Sequence, residues 1–93
     1  MPTLFRQIFN QIMQKPEKLH KNEFWCFEGK ASQFGDLITA RDAETAVGKC
    51  AEIYYNAGVD VPRYLFVENY LGIINKFKIT TEFDPVFHIE GVE

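Results

Sequence analysis

Apolar residues in this chain recur with a helical period in two stretches and with the period of a strand in most of the rest. In residues 3–14, Leu4, Ile8 and Ile12 form one row and Phe5, Phe9 and Met13 the adjacent row, while Arg6, Gln7, Asn10, Gln11 and Gln14 face away. That spacing predicts an amphipathic helix. Thr3 suits its N-cap, and the Lys15-Pro16 pair ends it, because a residue before proline is driven out of helical geometry.

After a polar connection, 16–22, the run from Glu23 to Gly29 is dense in aromatic residues and predicts a strand. A turn over 29–33 leads into a second strand, Phe34 to Arg41, expected to pair with the first as a hairpin. Asp42 then offers an N-cap. Ala43, Ala46, Val47, Cys50, Ala51 and Tyr54 follow at i, i+3, i+4, i+7, i+8 and i+11, a helix that Gly58 stops. Its small apolar residues let its axis lie close to a sheet.

Residues 62–71 are framed by Pro62 and Gly72 as a short helix would be, yet Tyr64, Leu65, Phe66, Val67 and Tyr70 favour a strand. Ile73, Phe77, Ile79 and Phe83 alternate with Lys76, Lys78, Thr80 and Glu82, the pattern of a half-buried strand. Asp84-Pro85 turns the chain, and Val86 to Glu90 returns as a short edge strand. The expectation is an α+β domain in the order α-β-β-α-β-β-β. Its mostly antiparallel sheet carries two helices packed on one face, as a two-layer sandwich.

Ninety-three residues with 46% hydrophobic content suit one domain with its own core, spanning 1–93. The net charge of −3 divides unevenly, with seven Lys/Arg against six Asp/Glu in residues 1–49 and three against seven in 50–93. A pI near 5.3 argues against a domain built around a phosphate backbone. Cys26 and Cys50 match neither zinc nor redox spacing, and two buried reduced thiols are expected. With no signal-like N-terminus and no long apolar run, the expected location is the cytoplasm and no membrane is involved.

Catalytic chemistry finds little to assemble from. His20 lies in a lysine-rich polar loop and His88 on the last strand. A metal site from His88, Glu90 and Glu82 is conceivable in donor type, but one imidazole with scattered carboxylates reads more simply as a surface strand. Cys50 sits on an apolar helix stripe, where thiols are inert. Ser32 is in a turn, and the dispersed glycines form no phosphate cradle. The chain is therefore expected to be no enzyme and to need no cofactor.

Recognition is what remains. In Glu23–Gly29, Phe24 and Cys26 face one side of the sheet and Trp25 and Phe27 the other. Helices on a single face cannot cover both sets. Trp25 and Phe27 are therefore exposed, covered by loop 16–22 or 29–34, or buried by a partner. With Tyr55 and Tyr70 they form the candidate protein interface. The acidic group Glu82, Asp84, Glu90 and Glu93 would complement a basic partner surface.

The expected function is a small non-catalytic inhibitor or adaptor, docking on a larger and possibly nucleic-acid-processing complex. A phage or mobile-element blocker of host defence, such as an anti-CRISPR protein, would suit as a class, although no motif carries that assignment. The alternative is nucleic-acid binding through Lys15, Lys18, Lys21 and Lys30 with Trp25 as a stacking platform.

Overall fold

A computed structural model describes residues 15–29, 35–82 and 86–92. Among the described residues the strands are β1 (Glu23–Phe27), β2 (Asp36–Thr39), β3 (Tyr64–Glu68), β4 (Ile74–Thr81) and β5 (Phe87–Val92), with one helix, α1 (Ala43–Asn56), between β2 and β3. They form a single five-stranded antiparallel sheet in the order β2-β1-β3-β4-β5. The expected hairpin of the first two strands is present, and the ambiguous segment 62–71 contains a strand. The expected helix over 3–14 lies outside the described residues, and with it the second helix of a sandwich.

Because β2 and β3 flank β1, α1 must carry the chain across β1 on one face. Its sequence is fitted to that path. Asp42 is the N-cap, its carboxylate accepting the Thr45 N–H at 2.8 Å. Ala46, Val47, Cys50, Ala51 and Tyr54 turn inward. At the other end Val59 N–H donates to Tyr54 O and Gly58 N–H to Tyr55 O, with Gly58 at φ +74°, the left-handed closure for which glycine is suited. Lys49 Nζ donates to Thr39 O at 2.7 Å, tying the helix back to the end of β2.

The sheet has an apolar set on each face. Toward α1 point Phe24, Cys26, Ile38, Leu65, Val67 and Ile79, joined by Phe77, Phe87 and Ile89. On the opposite face Trp25 and Phe27 cluster with Leu19, Leu37 and Phe66. The register puts Trp25 beside Leu37 and Glu68, and Phe27 beside Phe66, whose ring it stacks on at 5.5 Å. On β4 and β5 this second face turns polar, with Lys76, Lys78 and Thr80 opposite Val92, Glu90 and His88.

Both cysteines are free and buried, as expected. Gly35 is fixed by packing, because a Cβ there would lie 2.2 Å from Cys26 O.

Two measurements follow from this packing. Leu65 is fully enclosed, so Leu65→Ala should lower the unfolding free energy in urea by about 2–5 kcal/mol, whereas Ile74→Ala on the exposed start of β4 should change it by less than about 0.5 kcal/mol. The Thr45 backbone N–H, then the Thr45 side chain and last the nearby Arg41 charge, hold the Asp42 carboxyl below its usual 3.8. A lowered folded-state value contributes stability that is present above 3.8 and is lost as pH falls through the folded value. Asp42→Asn should therefore flatten the acid limb of a pH–melting curve below 3.8, and an unchanged limb would contradict the cap.

Candidate functional site

The sequence places four aromatic residues at an interface, and the structure divides them. Trp25 is 0% and Phe27 4% exposed, so within the chain itself neither ring is available to a partner. The physical reason is that the sheet is apolar on both faces, so these rings form a second core. Leu19, from a connection that reads as polar, packs into that core, so the covering by loop 16–22 is met in part. Tyr55 and Tyr70 are exposed, and Tyr55 lies edge-on to Phe87 at 6.1 Å.

The acidic edge is less bare than its sequence suggests. Glu82 Oε2 lies 3.1 Å from His88 Nε2, and Glu90 is exposed but stands across from Lys78 in the register. Asp84 and Glu93 lie outside the described residues. No group of three His, Cys, Asp or Glu side chains suited to a metal occurs among the described residues.

His20 has a local role. Its backbone N–H donates to Glu23 Oε1 at 2.7 Å and its Nδ1 lies 2.9 Å from the same oxygen, while Glu23 N–H returns a bond to His20 O. The backbone bond is the main reason the Glu23 carboxyl sits below its usual value. These contacts, with Asn22 at φ +72°, shape the turn into β1.

The expected basic segment is similarly dispersed. Lys15 is engaged by Glu68, Lys18 and Lys21 are exposed, and Lys30 lies outside the described residues. Trp25, the proposed stacking platform, is sealed.

One groove, of about 550 Å³, runs along Val61, Arg63, Tyr64, Lys78 and Thr80. It offers cations and hydroxyls, and among the described residues no carboxylate or imidazole lines it. Beside it Lys76 Nζ sits over the Tyr64 ring, 4.6 Å from its centre.

Around Tyr70, which the sequence placed at an interface, the structure adds three exposed residues that sequence reading missed, Leu71, Ile73 and Ile74, at the β3–β4 hairpin tip. Tyr70, Leu71, Ile73 and Ile74 are 48%, 65%, 51% and 50% exposed, four neighbouring apolar side chains in five residues. The backbone beneath them is firmly bonded. Asn69 N–H donates to Ile73 O, Gly72 N–H to Asn69 O, and Asn69 Oδ1 accepts from both Leu71 N and Ile73 N, at 2.9 and 3.0 Å. Gly72 takes φ +81°, as a three-residue hairpin loop requires. The available signal was a Tyr-Leu-Gly-Ile-Ile run behind an Asn, where turn chemistry normally comes with polar residues.

No protein-family model matches the chain, and no curated protein or solved structure matches it significantly.

The chain's single tryptophan makes the second core directly measurable. Emission from Trp25 should be blue-shifted and resist iodide in the folded protein, becoming red-shifted and quenchable in denaturant. A red, quenchable native spectrum would contradict the enclosed position.

Proposed function

We propose that this chain is a non-catalytic protein-binding domain whose main contact is the hairpin tip Tyr70, Leu71, Ile73 and Ile74. The observation that carries this reading is the combination of exposure and rigidity at the tip. Grouped exposed apolar residues mark interaction surfaces more often than scattered ones do. A loop already held in one shape gives up little conformational entropy on docking. Tyr70 and Leu71 are the anchors, suited to an apolar pocket on the partner. Glu82 and Glu90, exposed elsewhere on the sheet, favour a partner with some basic surface and would act chiefly on association rate.

An inhibitor or adaptor is the role that fits such a domain, and a nucleic-acid-processing complex is one partner with suitable basic surface. A blocker of host defence carried by a phage belongs to the same proposal. No helix among the described residues is long and apolar enough to cross a membrane, and two free cysteines favour a reducing compartment such as the cytoplasm.

The test is capture from the native host with the full chain as bait, compared with a Leu71→Asp, Ile73→Asp bait of unchanged melting temperature. The captured protein should bind the variant about 30-fold more weakly, equivalent to about 2 kcal/mol. Equal retention by both baits would remove the tip from the interface. Capture of nucleic acid instead, with affinity falling steeply as salt rises, would favour the lysine-based alternative.

A further inference from the structure

The outer edge of β5 has no strand beside it among the described residues, since β5 ends the sheet. Edge strands are commonly protected by charged side chains, lysine above all, or by proline, a bulge or brevity. β5 is six residues long, Phe-His-Ile-Glu-Gly-Val, with neither lysine nor proline and with Glu90 as its one carboxylate. Phe87 and Ile89 point toward α1 yet remain only half-buried. Val86, immediately before the strand, is 48% exposed.

From these features we infer that β5 pairs antiparallel with β5 of a second copy of this chain, about a two-fold axis at Ile89, making one continuous ten-stranded sheet. The segment Val86-Phe87-His88-Ile89-Glu90-Gly91-Val92 is chemically symmetric about its centre. With the axis at Ile89, Val86 meets Val92 of the second copy, Phe87 meets Gly91, His88 meets Glu90 and Ile89 meets itself. Each apolar side chain faces an apolar residue or a glycine, and each imidazole faces a carboxylate. Directly opposed cross-strand pairs of this kind stabilise a sheet.

Neighbouring registers lack this match. Moving the axis to Glu90 opposes two carboxylates, and moving it to His88 opposes two imidazoles while leaving Glu90 against Val86. Aromatic residues across from glycine are a recognised means of pinning register, and Phe87 would supply that twice.

The helix layer leaves room for a second copy. Between α1 and the start of β5 lies a cleft of about 430 Å³ lined by Thr45, Gly48, Lys49, Glu52, Val86 and Phe87. A Cβ on Gly48 would meet nothing within 4 Å. A two-fold axis normal to the sheet brings this cleft toward its own copy, with the exposed Glu52 in its lining. The surface is separate from the Tyr70–Ile74 tip, so tip variants leave it intact.

Sedimentation of the full chain at about 100 μM, well above a micromolar dissociation constant, should give twice the 10.8 kDa chain mass. Ile89→Cys should form a covalent dimer under mild oxidation, the wild-type chain with its buried Cys26 and Cys50 serving as control. A mixture of Val86→Cys and Val92→Cys chains should cross-link in the same way, which reads the register at surface positions if Ile89→Cys impairs folding. A monomer at that concentration would overturn the proposal. So would a dimer that cross-links at neither Ile89 nor the Val86–Val92 pair.

Discussion

The constraint on which the rest of the molecule depends is the doubly apolar character of β1. Four consecutive residues, Phe24, Trp25, Cys26 and Phe27, are buried, and in a strand consecutive side chains point to opposite faces. The strand therefore has to be central, with an apolar layer above and below. It holds that place between β2 and β3, and β3 repeats the demand more weakly through Leu65 and Val67 on one side and Phe66 on the other. The helix α1 meets half of the requirement. Its small inward residues bring it close over Phe24, Cys26 and Val67, and it leaves the opposite face to the cluster around Trp25.

From that centre the sheet grades outward into surface. β4 buries Ile79 and half-buries Phe77 against the α1 side while presenting Lys76, Lys78 and Thr80 on the other. β5 alternates half-buried and exposed residues from Phe87 to Glu90. Material for recognition consequently accumulates where the core runs out, at the β3–β4 tip and along the outer edge of β5. Several titratable groups are tied into local structure. Glu23 and His20 shape a turn, Asp42 caps α1, Lys15 engages Glu68, and Glu82 contacts His88.

Much of this architecture was legible from residue patterns. The α1 stripe, its Asp42 cap and Gly58 stop, and the alternation of β4 are local signals, and each corresponds to an observed element. The direction in which Trp25 and Phe27 point was legible too, since alternation alone separates them from Phe24 and Cys26. Their enclosure was not, because it depends on a second apolar face assembled from β1, β2, β3 and Leu19, which are distant in sequence. Of the tip residues Tyr70 was legible, while Leu71, Ile73 and Ile74 were missed for a related reason. Ile73 fits the apolar phase of β4, and its exposure becomes visible once the hairpin closes at Asn69 and Ile73, one residue before the strand begins. The strand order, which leaves β5 at an edge, has no signature in periodicity.

The central claim is that stability resides in the two-faced β1–β3 centre and that β5 and the tip are peripheral to it. Hydrogen exchange of the full chain, resolved by residue and run at low concentration, tests this most directly. Amides of Trp25, Phe27, Leu65 and Val67 should exchange only through global unfolding, while alternate amides of β5 on its outer edge exchange orders of magnitude faster. Equal protection of β5 and β1 in the dilute monomer, or exchange of the Trp25 and Phe27 amides by local opening, would contradict the account.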